Sequence, residues 1–125
     1  MKIENIKFKA KCLDTGEWVE GDLKHSTSYV GIGYPSSTFP DVPIVHRVDP
    51  DTVCMFTGLT DCKGNEIWEG DIAECETYDL YKGFIKVKAI IEYMYGAFVA
   101  IIDGMPYSLY FKYIKVIGNK FDKDK

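Results

Sequence analysis

Side chains alternate strictly from Asn5 to Cys12, with Ile6, Phe8, Ala10 and Cys12 on one face and Lys7, Lys9 and Lys11 on the other. That is the period of a half-buried strand. Asp14-Thr15-Gly16 predicts a turn, Trp18-Val19-Glu20 a returning strand, and Gly21-Asp22 a bend that closes the meander. Tyr29 to Gly33 reads as a short strand weakened by its glycines, and Tyr34 to Pro43, with three prolines, as an irregular loop. An extended segment over Val42 to Val48 places Ile44, His46 and Val48 to one side. Asp49-Pro50-Asp51-Thr52 then predicts a single helical turn before a strand at Val53 to Phe56.

The stretch from Thr57 to Glu76, TGLTDCKGNEIWEGDIAECE, is the most punctuated in the chain. Asp61, Lys63, Gly64 and Asn65 suit a hairpin turn, because Gly and Asn tolerate positive φ and Asp can accept from its own backbone two residues on. Gly70 interrupts the apolar run between Trp68 and Ile72, which predicts a sharp bend or bulge. Gly16 to Leu23 is a near copy of this unit, again ending in Glu-Gly-Asp and an aliphatic residue. Farther on, Ile72 to Tyr78 extends, Asp79 to Gly83 loops, and Phe84 to Tyr93 predicts the longest strand, with Ile85, Val87, Ala89, Ile91 and Tyr93 inward. Tyr95-Gly96 and Asp103-Gly104 are hairpin turns on either side of Ala97 to Ile102. Tyr107 to Phe111 is a short strand, Lys112 to Ile114 a tight helical turn, and Lys115 to Gly118 a closing strand. The strand order predicts a mainly β protein: an SH3-like barrel over residues 54–120, an N-terminal hairpin and Pro-rich loop over 1–53 packed against it, and a disordered tail over 121–125.

At 125 residues and 14.2 kDa the chain fits one domain or two small subdomains. Hydrophobic residues at 46% and aromatics at 14% predict a core rich in Tyr and Phe. No apolar run approaches the ~18 residues of a membrane helix, and Lys alternates with apolar residues where a signal peptide has an apolar block; the expected compartment is the cytoplasm. A net charge of −4 argues against a nucleic-acid partner, since phosphate binding calls for the opposite balance. Lys7, Lys9 and Lys11, and Lys82, Lys86 and Lys88, read as solvent faces of strands. Cys12, Cys54, Cys62 and Cys75 form no Cys-x-x-Cys pair, so reduced thiols are favoured over a zinc site shared with His25 and His46.

The sharpest enzymatic reading uses Glu69, Asp71, Glu74 and Glu76, a carboxylate cluster of the kind that holds a divalent cation or divides acid and base roles. Strand alternation opposes it: Glu74 and Glu76 share a face and Asp71 points to the other, unless Gly70 bends the chain strongly. A solvated strand edge with a turn-capping Asp71 is the simpler account. No cysteine neighbours His25 or His46 in sequence, so a Cys/His nucleophile is disfavoured, with His25 at the surface and His46 half-buried. Gly31-Ile32-Gly33 lacks the third glycine and following helix of a phosphate loop. No catalytic, metal or cofactor residues are assigned, and no cofactor is expected.

Ile6 to Ala10, Gly21-Asp22-Leu23, Val48 to Val53, Phe56 to Asp61, Gly64 to Ile72 and Val116 to Asn119 together resemble the YopX family, in the family's order and across nearly the whole chain. The family's acidic tail after Ile-Gly-Asn is here Phe121-Asp122-Lys123-Asp124-Lys125. The resemblance implies a small, mainly β protein of a phage or prophage of a Gram-positive host, with no catalytic residues to carry over. The expected role is a non-catalytic accessory protein that assembles with itself or with a host or phage protein. The alternatives are a small metal-dependent enzyme using the carboxylate cluster, or a nucleic-acid-binding SH3-like module. Both faces of Ala97 to Ile102 are apolar, and a small barrel has one interior; this predicts a homo-oligomer, most simply a dimer, with Tyr93, Tyr95, Tyr107 and Tyr110 in its interface.

Overall fold

Lysines alternating with apolar residues fold as their period dictates: Phe8–Lys11 forms strand β1, Ala10 is fully buried, and Cys12 adds an isolated antiparallel bridge to Val48. The computed structural model describes residues 2–122. The chain forms two compact units, Met1–Phe56 and Thr57–Lys125.

In the first unit β1 pairs with β2 (Trp18–His25), and β2 with β3 (Val30–Pro35), which pairs with β4 (Pro43–Arg47). On its other side β1 meets the start of β5 (Cys54–Thr60) through Phe8 and Met55. All pairings are antiparallel. Gly16, at φ +72°, makes the predicted turn, and its N–H donates to the Cys12 carbonyl at 2.8 Å. The bend predicted at Gly21-Asp22 is not a strand end. β2 runs straight through, pairing residues 18–21 with β1 and 22–25 with β3. Glycine is required at 21 for another reason: a methyl group there would overlap the Gly33 carbonyl. The irregular loop is shorter than expected, because Tyr34 and Pro35 pair with Ile44 and Pro43. The helical turn is present at Pro50–Thr52, with Asp49 accepting from the Asp51 N–H at 3.0 Å. Ala10, Ile32 and Val48 form the core here, flanked by Phe8, Val19, Val30 and Val53.

β5 crosses into the second unit, where its far half lies beside β6 (Glu66–Trp68). There follow β7 (Asp71–Asp79), β8 (Gly83–Met94), β9 (Ala97–Ile102), β10 (Met105–Ser108) and β11 (Ile114–Asn119). They form an antiparallel sheet in the order β10-β9-β8-β7-β11. The predicted barrel does not close. Its edge strands would have to pair with one another, but β10 is exposed along its length and carries Pro106, which lacks the N–H that a ladder needs. The strand expected at 107–111 is displaced to 105–108, and the helical turn at Lys112 to Ile114 is absent, Ile114 being already extended in β11.

Tyr and Phe do not dominate the interior. Among the described residues Phe56 alone of these two types is buried, and the second core is Ile67, Ala73, Cys75, Ala89, Ile91, Ala100, Ile102 and Ile114. Small residues at 73, 75, 89 and 100 let Ile67 and Ile91 pack close to the sheet, whereas a buried tyrosine hydroxyl would need its own partner. Odd positions of β8 point inward as predicted from Ile85 to Ile91, but Tyr93 is 54% exposed. Of the expected tail, Phe121 and Asp122 bond through their N–H groups to Asn119, and residues 123–125 lie outside the described residues.

Candidate functional site

The stretch from Thr57 to Glu76 proves to be a pair of carboxylate clasps. Thr57 first ties β5 to β6, its hydroxyl donating to the Ile67 carbonyl at 2.6 Å. Asp61, buried in the turn between them, accepts at Oδ1 from the N–H groups of Lys63 (2.9 Å) and Asn65 (2.8 Å). Its Oδ2 accepts from the N–H of Val116, 55 residues away, at 2.9 Å. Burial pushes the Asp61 pKa up, but these N–H donors outweigh it and hold the carboxyl below its ordinary value. Asp71 repeats the device one turn later: Oδ2 accepts from the Trp68 N–H at 2.8 Å and Oδ1 from the Asn119 side-chain amide at 3.0 Å. Both aspartates thereby fasten β11 to the unit, on either side of the bulge where its register shifts between Val116 and Gly118.

Gly70 makes the bend predicted for it, at φ +87°, with its N–H on the Ile91 carbonyl and its own carbonyl accepting from Lys120. Gly70→Val should destabilise the fold by about 1–3 kcal/mol, the cost of forcing a branched side chain into this region. An unchanged midpoint in urea unfolding would show that the bend is not required.

The carboxylate cluster is divided by the pleat. Asp71 shares the buried face with Ala73 and Cys75, while Glu74 and Glu76 point to the opposite face. Glu74 accepts from the Tyr113 hydroxyl at 3.1 Å and lies 4.0 Å from the Lys86 ammonium. Desolvation and the neighbouring Glu74 raise the Tyr113 pKa, keeping the hydroxyl a donor. Among the described residues no three His, Cys, Asp or Glu side chains are grouped to hold a metal ion.

That opposite face has a feature of its own. Register places Gly118, Ile72, Ile90, Ile101 and Pro106 in one row crossing all five strands. Ile90 is 38% exposed at its centre, and Ile117, the extra residue of the bulge, is 45% exposed beside it. Charged side chains of both signs flank the row: Glu74 with Lys86 on one side, and Glu92 with Lys120, paired at 3.0 Å, on the other. Both faces of β9 are thus apolar in use, Ala100 and Ile102 on the core and Ile101 in the row. The tyrosines separate from it: Tyr93 lies on the core side, edge-on to Phe98 at 5.2 Å, near a 570 Å³ cleft lined by Leu59, Phe98, Leu109, Tyr110 and Phe111.

The sequence matches the profile of the YopX protein family over residues 4–124. The chain belongs to the YopX family. No curated protein and no solved structure is significantly similar to it. The blocks that carried the YopX resemblance are architectural here: Thr57, Asp61, Gly64, Gly70, Asp71 and Asn119 are the residues that make and lock the turns of the second unit. In this YopX-family protein the histidines stay apart from such work. His46 is half-buried, its Nε2 2.9 Å from the Tyr34 hydroxyl, and His25 is exposed. All four cysteines are free thiols. Cys12, Cys54 and Cys75 are buried, whereas Cys62 is exposed in its turn. Burial, with Glu74 adjacent, pushes the Cys75 thiol up to about 11, and Cys54 donates to the Thr52 carbonyl, so neither is poised as a nucleophile. Cys12 is lowered by the backbone N–H groups of Asp14 and Thr15. No helix among the described residues is long and apolar enough to cross a membrane.

Asp71 as a turn cap and Asp61 as an acceptor within its own turn follow from local sequence. Their grip on β11 and the aliphatic row do not. Ile72, Ile90 and Ile101 lie on three different strands, and only the register of four strand pairings aligns them.

Proposed function

We propose that this YopX-family chain is a non-catalytic accessory protein of a phage or prophage and acts by assembling with a second copy of itself. The observation that carries the reading is the aliphatic row Ile72-Ile90-Ile101-Pro106. Five strands at ~4.8 Å spacing and nine residues of β7 at ~3.4 Å give a face of roughly 24 by 30 Å, on the order of the ~800 Å² per partner of a stable interface. A two-fold axis sets like against like, so aliphatic row meets aliphatic row, and flanks that each hold a carboxylate and an ammonium offer either sign to the copy. Growth along the sheet edge is disfavoured instead, because Pro106 removes a donor from β10. The separation of Asp71 from Glu74 and Glu76 on opposite faces of β7 favours a binding role over hydrolysis.

Light scattering coupled to size exclusion at about ten micromolar should report twice the 14.2 kDa chain mass. Ile90→Lys, at an exposed position, should return the monomer mass with an unchanged far-ultraviolet spectrum. A wild-type monomer, or a dimer indifferent to Ile90→Lys, rejects this interface and leaves a host or phage protein as the candidate occupant.

A further inference from the structure

We propose that the turn end of the β2–β3 hairpin in the first unit binds a small-molecule phosphomonoester, with Arg47 as its principal anion ligand. Arg47 is the single arginine of the sequence, among fourteen lysines. It ends β4, and its guanidinium lies 4.9 Å from the centroid of the Tyr29 ring. Among the described residues it forms no ion pair. A guanidinium held against a ring and engaged in no ion pair has N–H groups to offer and loses little freedom on binding, which suits two oxygens of a phosphate.

The neighbourhood is shaped for this platform. Tyr29 can lie along β3 because Gly31, opposite Arg47, has no side chain; a methyl group there would stand 3.3 Å from the Tyr29 ring and closer still to Val45. The hairpin turn is closed by the Ser26 N–H on the Tyr29 carbonyl, so Thr27 and Ser28 sit at its tip and add hydroxyl donors, with His25 beside them. Asp49, the carboxylate nearest to Arg47 in sequence, is engaged by the Asp51 N–H. Arg47, Tyr29 and the turn residues 25–28 line a 350 Å³ cleft whose remaining wall is apolar, from Leu13, Val30, Val48 and Pro50. A bare phosphate would leave most of that volume and all of that wall unused. A phosphate ester of a small organic group fills both, at the lower end of the usual size for small-molecule sites.

The test is an amide and arginine side-chain NMR titration of the full chain with phenyl phosphate and, separately, inorganic phosphate, each to about 10 mM, where a millimolar Kd approaches saturation. Phenyl phosphate should shift Ser26 to Tyr29 and the Arg47 Nε–H saturably and bind more tightly than inorganic phosphate. Arg47→Met should weaken it by about tenfold or more, and Arg47→Lys by a lesser factor, since the ammonium keeps the charge without the planar fork. The same spectra report whether each variant is folded. Absence of saturable shifts, equal affinity for inorganic phosphate, or an affinity unchanged in folded Arg47→Met each overturns the assignment.

Discussion

Asp71→Ala is expected to lower the unfolding free energy by about 2–5 kcal/mol, the largest effect of any single side chain in the second unit. The carboxylate is 2% exposed and joins three elements: the Trp68 N–H of β6 at 2.8 Å, its own strand β7, and the Asn119 amide of β11 at 3.0 Å. Truncation leaves the Trp68 N–H and the Asn119 amide N–H without this acceptor at a buried position. Each unpaired buried donor costs about 1–3 kcal/mol, and the two losses share one cause. Urea unfolding followed by tryptophan fluorescence measures it directly, because Trp68 sits beside the clasp. Asn119→Ala removes one donor to Asp71 and the acceptor of the part-buried Phe121 N–H, leaves the Trp68 bond in place, and should cost less. The double variant should fall well short of the sum, since residues in one hydrogen-bonded unit do not add. A loss below about 1 kcal/mol for Asp71→Ala would mean that relaxation or solvent replaces the clasp.

Local signals carried far in this sequence, and the limits of their reach are physical. Alternation at Ile6 to Cys12 and at Ile85 to Ile91, and the turns at Gly16, Gly64, Gly70, Tyr95-Gly96 and Asp103-Gly104, are decided by neighbours in sequence, and the structure follows them. Gly21 shows where that ends. A glycine before Asp in a strand can mark a bend or a close approach, and the second was the case because Gly33 lies across from it, which only the pairing of β2 with β3 determines. The barrel failed for a similar reason: strand order was legible, while closure depends on whether β10 and β11 meet. The core composition misled because aromatic content fixes how much apolar surface exists, not where it goes. Tyr95 and Tyr110, each 98% exposed, are at turns and loops that no core could reach. The aliphatic row lay hidden because each strand contributes one residue to it. The two clasps were half legible, since an aspartate's bond to its own turn is local, whereas the bonds to Val116 and Asn119 span 55 and 48 residues.

Asp61 should make the stability of the second unit depend on acid in a way that Asp61→Asn abolishes. Its two oxygens accept from Lys63, Asn65 and Val116, and an asparagine must turn one of these acceptors into an NH₂ group that faces an N–H. At pH 7 the substitution should therefore cost about 2 kcal/mol, in the range of charge-assisted hydrogen bonds. The pH dependence follows from the direction of its pKa, which the N–H donors hold below the ordinary carboxyl value against the opposing pull of burial. A carboxyl with a depressed folded-state pKa binds its proton more readily when unfolded, so stability rises with pH in that interval. The contribution of Asp61 is fully present above the unfolded value of about 3.9 and is lost as pH falls through the folded one. Urea midpoints from pH 7 down through the acid limb should then show wild type and Asp61→Asn separated by a constant gap down to about pH 4, with the gap narrowing below it. Groups common to both proteins cancel in the difference. A gap that stays constant across the whole series would mean that the Asp61 charge contributes nothing and that the cost of Asp61→Asn comes from hydrogen-bond geometry alone.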